Sequence, residues 1–125
     1  MSSADEAIQA ALVERVSSLG LTCVDFGREV ATWPYVEAGY VTLAPFDTQT
    51  STGFEFTATL HVRSRSGSAK ETKGIQGQLY AALHRQSLAV EGFQTVLVNF
   101  VDSRVLEPVG SAFHGVSEFR GLITT

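Results

Sequence analysis

A single cysteine, Cys23, stands among the 125 residues of this chain. A lone thiol excludes an internal disulfide and cannot supply a multi-thiolate zinc site, so Cys23 is read as a small buried hydrophobe. No apolar run approaches the roughly 20 residues a membrane helix needs, and the opening Met1-Ser2-Ser3-Ala4-Asp5-Glu6 lacks the basic start of a secretory signal. A soluble protein without a membrane partner, intracellular when made, is therefore expected. Basic residues are scarce as well: 9 Lys and Arg face 13 Asp and Glu, for a formal net charge of −4. Gripping phosphates requires clustered Lys and Arg, which excludes nucleic-acid binding as the main task of the surface while leaving room for DNA to pass nearby.

The chain does have apolar residues enough for a core. With 44% hydrophobic and 18% charged residues, it reads as one folded domain spanning residues 1–125. Ser3 and Glu6 have the spacing of a capping box, and Ile8, Leu12, Val16 and Leu19 recur at helical intervals, which predicts a helix over Ala4 to Leu19 stopped by Gly20. A short strand over Leu21 to Phe26 and a loop over Gly27 to Thr32 follow. Pro34 biases Trp33 toward extended backbone, so a strand is expected over Tyr35 to Leu43, bent or bulged at Gly39.

The clearest strand is Phe54 to Arg63. There Phe54, Phe56, Ala58, Leu60 and Val62 alternate with Glu55, Thr57, Thr59, His61 and Arg63, the period of two that turns one face to a core. Ser68 and Glu71 repeat the capping-box spacing ahead of Ile75, Leu79, Ala82 and Leu83, predicting a second helix over Ala69 to Arg85. Phe93 to Val101 is apolar nearly throughout and reads as a strand covered on both faces. A polar loop over Asp102 to Ala112 and a last strand over Phe113 to Ile123 complete the chain. The fold class is α+β, a mainly antiparallel sheet of four or five strands with two helices on one face. Two helices leave Leu97, Val101 and Val116 uncovered, and a second subunit is the economical cover.

No motif for chemistry emerges. His61, His84 and His114 lie far apart in sequence without metal-ligand spacing, and His61 and His114 read as ordinary surface or interface residues. Gly115-Val116-Ser117-Glu118-Phe119 lacks the second glycine of a nucleophile elbow and falls in a strand pattern. Gly74-Ile75-Gln76-Gly77 resembles a nucleic-acid-binding GXXG loop but lies within a helical period, where close helix packing is the expected reason for its small residues. Catalytic, cofactor-binding and metal-ligating residues are all expected to be none. The expected sites are contacts: Trp33 and Tyr35 as aromatic anchors, and the loop region of Phe46, Asp47, Gln49 and Phe54. Arg63 and Arg65, in a basic cluster with Lys70 and Lys73, and the apolar Leu97, Val101 and Val116 complete the set.

The order of segments resembles the tail-completion family of long-tailed bacteriophages, which includes tail terminators and tail-to-head joining proteins. The likeness runs over nearly the whole chain. It is carried by the N-terminal helix, Trp33-Pro34-Tyr35-Val36 opening a strand, and the long strand ending Leu60-His61-Val62-Arg63-Ser64-Arg65. The helix start Ala69-Lys70-Glu71, the Ile75, Leu79, Leu83 stripe and the closing strand from His114-Gly115-Val116 to Phe119-Arg120 continue it. What the resemblance implies is a ring, usually of six subunits, at the head-proximal end of the tail tube in the virion, assembled in the host cytoplasm. Its implied partners are the tail-tube protein and the head connector or stopper, with DNA passing through the channel and no catalysis. A connector or stopper role in the same neck region is the nearest alternative. From another class, the alternative is a small-molecule-binding or enzymatic α+β domain.

Overall fold

The structure, a computed structural model, describes residues 3–25, 32–47, 49, 52–65 and 68–125. The strict alternation in the long strand sets the architecture. In Gly53–Ser64 (β3) the side chains of Phe56, Ala58, Leu60 and Val62 are buried on one face. Around β3 are arranged Cys23–Asp25 (β1), Tyr35–Pro45 (β2), Gln94–Val105 (β4) and Phe113–Thr124 (β5), in the order β1-β2-β3-β5-β4. β1 runs parallel to β2 and the remaining pairs are antiparallel, so the five-stranded sheet is mixed. The parallel pair is the departure from a purely antiparallel arrangement.

Two helices, Ala4–Ser17 (α1) and Ala69–Leu83 (α2), cover the same face of the sheet. α1 lies against β1 and β2, and α2 against β3, β5 and β4. Ile8, Leu12 and Val16 from α1 join Ile75, Leu79 and Leu83 from α2 over Val36, Leu60, Phe119 and Ile123 in one continuous core. Each fully buried Leu or Ile contributes roughly 1.5–3 kcal/mol by leaving water, enough to offset the helix-interior glycines. Cys23 packs at the margin of this core, where burial pushes its thiol up to about 12.

Several local expectations shift. α1 ends at Ser17, before Leu19, and Gly20 adopts the left-handed conformation expected of it at φ +84°. Ser3 occupies the N-cap position without capping through its side chain, because its hydroxyl donates instead to Asp5 at 2.6 Å. Ser68 does cap α2, accepting from the Lys70 amide, whereas Glu71 accepts from Ser64 on β3 at 2.5 Å. α2 stops at Leu83 rather than Arg85 because the chain turns toward β4: the amide of Arg85, at φ +57°, donates to the Val98 carbonyl, and the amide of Val98 donates to Gln86. Gly74 and Gly77 are not packed closely; both are exposed, and no heavy atom would stand within 4 Å of a Cβ at either.

β4 is an edge strand, not a strand covered on both faces, and it leaves Leu97 41% and Val101 39% exposed. It also runs on to Val105, so the polar loop shrinks to the connection 106–112. The bulge expected at Gly39 is present: pairing jumps from Ala38 opposite Leu60 to Val41 opposite Ala58, leaving Gly39 and Tyr40 facing Thr59 alone. A Cβ on Gly39 would lie 2.8 Å from the Thr59 carbonyl oxygen, so the close approach requires glycine. The loop expected over Gly27 to Thr32 lies outside the described residues except at Thr32.

Candidate functional site on the outer face of the sheet

The side chains that alternate with the core residues form a second face, away from the helices. From β3 it takes Glu55, Thr57, Thr59, His61 and Arg63; from β5, His114, Val116, Glu118, Arg120 and Leu122, in antiparallel register. β2 adds Tyr35 opposite Arg63 and Glu37 opposite His61, and β4 adds Asn99 opposite Arg120 and Arg104 opposite Val116.

The two ends of this face differ. Toward the start of β3, Phe46, Leu97 and Leu122 surround a shallow hollow of about 320 Å³ with Glu55, Asn99 and Arg120. Phe46 and Leu97 remain exposed at 46% and 41%. Toward the end of β3 the face is closed by the chain itself. Tyr35, Glu37 and Val116 are buried there, Trp33 meets Tyr35 edge to face at 5.2 Å, and the Arg65 guanidinium lies 3.9 Å over the Trp33 ring.

Under this cover is a group of ionisable side chains that sequence spacing does not reveal. His61 Nδ1 lies 2.7 Å from His114 Nε2, and Arg63 Nη2 lies 3.2 Å from Glu37 Oε1. The two histidines, far apart in sequence and expected to be ordinary surface or interface residues, are brought together by the register of β3 with β5. Both values are depressed: burial, then the Arg63 charge, lower that of His61, and burial, Arg63 and then His61 bring that of His114 to about 4. Among the described residues no group of three or more His, Cys, Asp or Glu side chains is arranged to hold a metal ion.

The arginines of this face each stand beside a carboxylate. Arg63 faces Glu37 at 3.2 Å, Arg104 faces Asp102 at 3.5 Å and Arg120 faces Glu55 at 3.5 Å. The face therefore offers alternating charge rather than a basic stripe. The expected basic cluster divides accordingly, since Arg63 pairs with Glu37, Arg65 covers Trp33, and Lys70 and Lys73 are exposed on α2.

The expected contact residues fall into two groups. Phe46, Asp47, Gln49, Leu97 and Val101 are exposed, and Trp33, Arg63 and Arg65 are half-buried or exposed around the closed end. Tyr35 and Val116 are covered within the chain, and Phe54 faces the core, packing against the Phe93 ring at 6.4 Å. The expectation that Val116 is left uncovered is thus corrected: it is only 6% exposed. Asp47 shapes its loop, its Oδ1 accepting from the Gly53 amide at 3.2 Å while the Phe46 amide donates to the Gly53 carbonyl at 2.8 Å. The Gly115-Val116-Ser117 segment is plain strand; Ser117 is buried and bonded to Ser103 at 2.7 Å, so it offers no nucleophile.

Fold and face together define a small α+β domain with one side of its sheet packed under its own helices and half of the other side open. The chain belongs to the family described as tail completion protein gp17, whose profile matches residues 3–124. Membership makes it a structural protein of the tail region of a phage-type virion. The same fold occurs in a chain of the solved virion of a native gene transfer agent (GTA) particle, with a TM-score of 0.82 at 16% identity over 96% of both chains. A second solved chain matches with a TM-score of 0.58 at 15% identity, over 96% of this chain and 94% of that one. At these identities the likeness establishes the fold alone. No curated protein matches the chain.

Proposed function

We propose that this protein assembles as a closed ring, with six subunits, at the head-proximal end of the tail tube, where it ends tube polymerisation and joins the tail to the head connector. The observation that carries this reading is the open half of the outer face. Phe46, Leu97 and Leu122 form an apolar surface around polar residues, and a neighbouring copy is its natural cover in a family that completes tails. We assign Val101, exposed farther along β4, to the contact between subunits as well.

Association proceeds through side chains rather than by adding a strand to β4. The middle of that edge is already occupied: Val98 bonds through both its amide and its carbonyl to Gln86 and Arg85, and the Phe100 amide donates to His84 Nδ1 at 3.0 Å. Blocked edges of this kind keep a sheet from pairing indiscriminately. The protein acts without catalysis or cofactor, DNA passes through the ring, and assembly into the virion takes place in the host cytoplasm. A connector or stopper of the same neck region would use the same surfaces.

The reading from another class, a small-molecule-binding or enzymatic domain, would draw on His61, His114, Glu37 and Arg63. Those groups are turned on one another, His61 on His114 and Arg63 on Glu37, and of the four only Arg63 and His114 line the neighbouring hollow of about 210 Å³, beside Glu107 and the apolar Trp33, Leu106, Val109, Ala112 and Phe113. Light scattering, alone and with tail-tube protein supplied, tests the ring. An oligomer is expected in at least one setting, and Leu97→Glu is expected to prevent it while leaving the far-UV spectrum unchanged. A protein monomeric in both settings removes the ring reading.

A further inference from the structure

The contact between His61 Nδ1 and His114 Nε2, at 2.7 Å with ring centroids 4.9 Å apart, is a hydrogen bond that requires one nitrogen with a proton and one without. The pair survives as two neutral rings or with one charge. With both rings fully protonated, two N–H groups would point at each other across the same gap.

The groups packed around the pair oppose that second charge. From β3, Arg63 pushes against it, and from β4 Arg104 does the same. From β2, Glu37 favours charge, but its carboxylate already faces Arg63 at 3.2 Å. Tyr35 on β2, Asp102 on β4, Glu118 on β5 and Glu107 on the 106–112 connection are further titratable groups toward this end, with Arg65 over Trp33, while Glu55 and Arg120 pair with each other farther along the face.

Separation within the folded face is open to one ring only, and only into the hollow beneath the 106–112 connection. His61 is seated against the backbone of the bulge, where a Cβ on Gly39 would come 2.9 Å from its Nε2. The room available to His114 is the hollow it lines with Trp33, Leu106 and Val109, beneath the connection from β4 to β5. That connection is tied to the same residue, since the Leu106 amide donates to the His114 carbonyl at 2.8 Å.

We propose that the His61–His114 pair is an acid-sensitive clasp that holds the 106–112 connection on the outer face of the sheet and releases it when both rings carry a proton. The direction follows from linkage. Both folded values lie below the ordinary histidine value of 6.5, so the unfolded or opened state takes up protons first. The clasp contributes fully above about pH 6.5, and its contribution is lost as pH falls from there through about 4.

Hydrogen exchange at the Leu106 amide, corrected for the intrinsic pH dependence of exchange, reads the release. Protection in the wild-type protein is expected to fall about tenfold or more between neutral pH and pH 4, the signature of a local opening. In H114Q, whose amide still bonds to His61 but takes no proton, protection is expected to stay within about twofold. Equal loss in both proteins, or no loss in the wild type, overturns the proposal. Should H114Q loosen the segment already at neutral pH, the ring-nitrogen titration of the wild-type protein decides. A final protonation step that coincides with the Leu106 loss supports the clasp, and two independent titrations near pH 6.5 overturn it.

Discussion

Arg15 on α1 and Ala82 in the last turn of α2 are joined by a hydrogen bond of 2.9 Å from the guanidinium to the carbonyl, and a second nitrogen of the same guanidinium reaches the Ser87 carbonyl at 2.8 Å. One planar fork thus satisfies a carbonyl that the helix end leaves without an intrahelical partner and fixes the chain beyond it. Because α1 covers β1 and β2 while α2 covers the other strands, this contact holds the two halves of the helical layer together.

Arg15→Ala is expected to lower stability by about 1.5–3 kcal/mol, the range for hydrogen bonds to a charged group. Arg15→Lys is expected to recover only part of it, because an ammonium cannot reach both carbonyls in fixed fork geometry. Urea midpoints of the three proteins measure this. A change below about 0.5 kcal/mol for Arg15→Ala, the size of an ordinary surface effect, would show that water replaces both bonds.

Glycines that look alike in the sequence are expected to respond in opposite directions. Gly77 on α2 has open space where a Cβ would stand, so Gly77→Ala is expected to raise stability by about 0.5–1 kcal/mol by helix propensity. At Gly121 on β5 a Cβ would lie 2.6 Å from the Phe56 ring and 2.9 Å from the Leu97 carbonyl oxygen. Gly121→Ala is therefore expected to cost about 1–3 kcal/mol by overpacking. Thermal unfolding of the two variants gives the signs directly.

The period of two in β3 and the 75, 79, 83 stripe of α2 were legible because each follows from local geometry. What spacing along the chain does not encode is register. His61 and His114 each look like a polar residue on a solvent face, and only the alignment of β3 with β5 brings their rings into contact. Tyr35 and Val116 read as available for a partner because what flanks them is set by folding: the Trp33 ring meets Tyr35 edge to face, and Val116 lies between His61 on β3 and Arg104 on β4. The apolar run in β4 misleads for a different reason: an edge strand with exposed apolar side chains and a strand buried on both faces have the same composition. Glu37, buried in an otherwise apolar segment, was the one local signal that the outer face contains a polar cluster.

The loop after β2 is expected to touch another protein in the assembled particle. Its ends are held by the Phe46 and Gly53 backbone bond, by Asp47, and by the bonds between Thr52 and Thr125. Shortening residues 48–51 is expected to leave the melting temperature unchanged within about 2 °C while producing tails of abnormal length or tails that fail to join heads. Normal infectious particles from the shortened variant would refute this contact.

DNA is expected to pass this protein without being held by it. Binding to duplex DNA draws its strength from the release of counterions when Lys and Arg neutralise phosphates, and it requires cations that are not already neutralised. On the outer face Arg63, Arg104 and Arg120 each stand beside a carboxylate. The chain as a whole carries a net charge of −4. Asp25, Asp102 and Glu107 are exposed and able to contribute to a neutral or acidic channel wall, while Glu29 lies outside the described residues. Such a wall suits a conduit, since one that bound phosphates would retard the polymer it conducts. Gel shift at low salt, where attraction reaches furthest, is therefore expected to show little or no complex with duplex DNA. Submicromolar binding that weakens steeply with added salt would mean that the ion pairs of the outer face open to phosphate, and would replace the conduit with a DNA-gripping role.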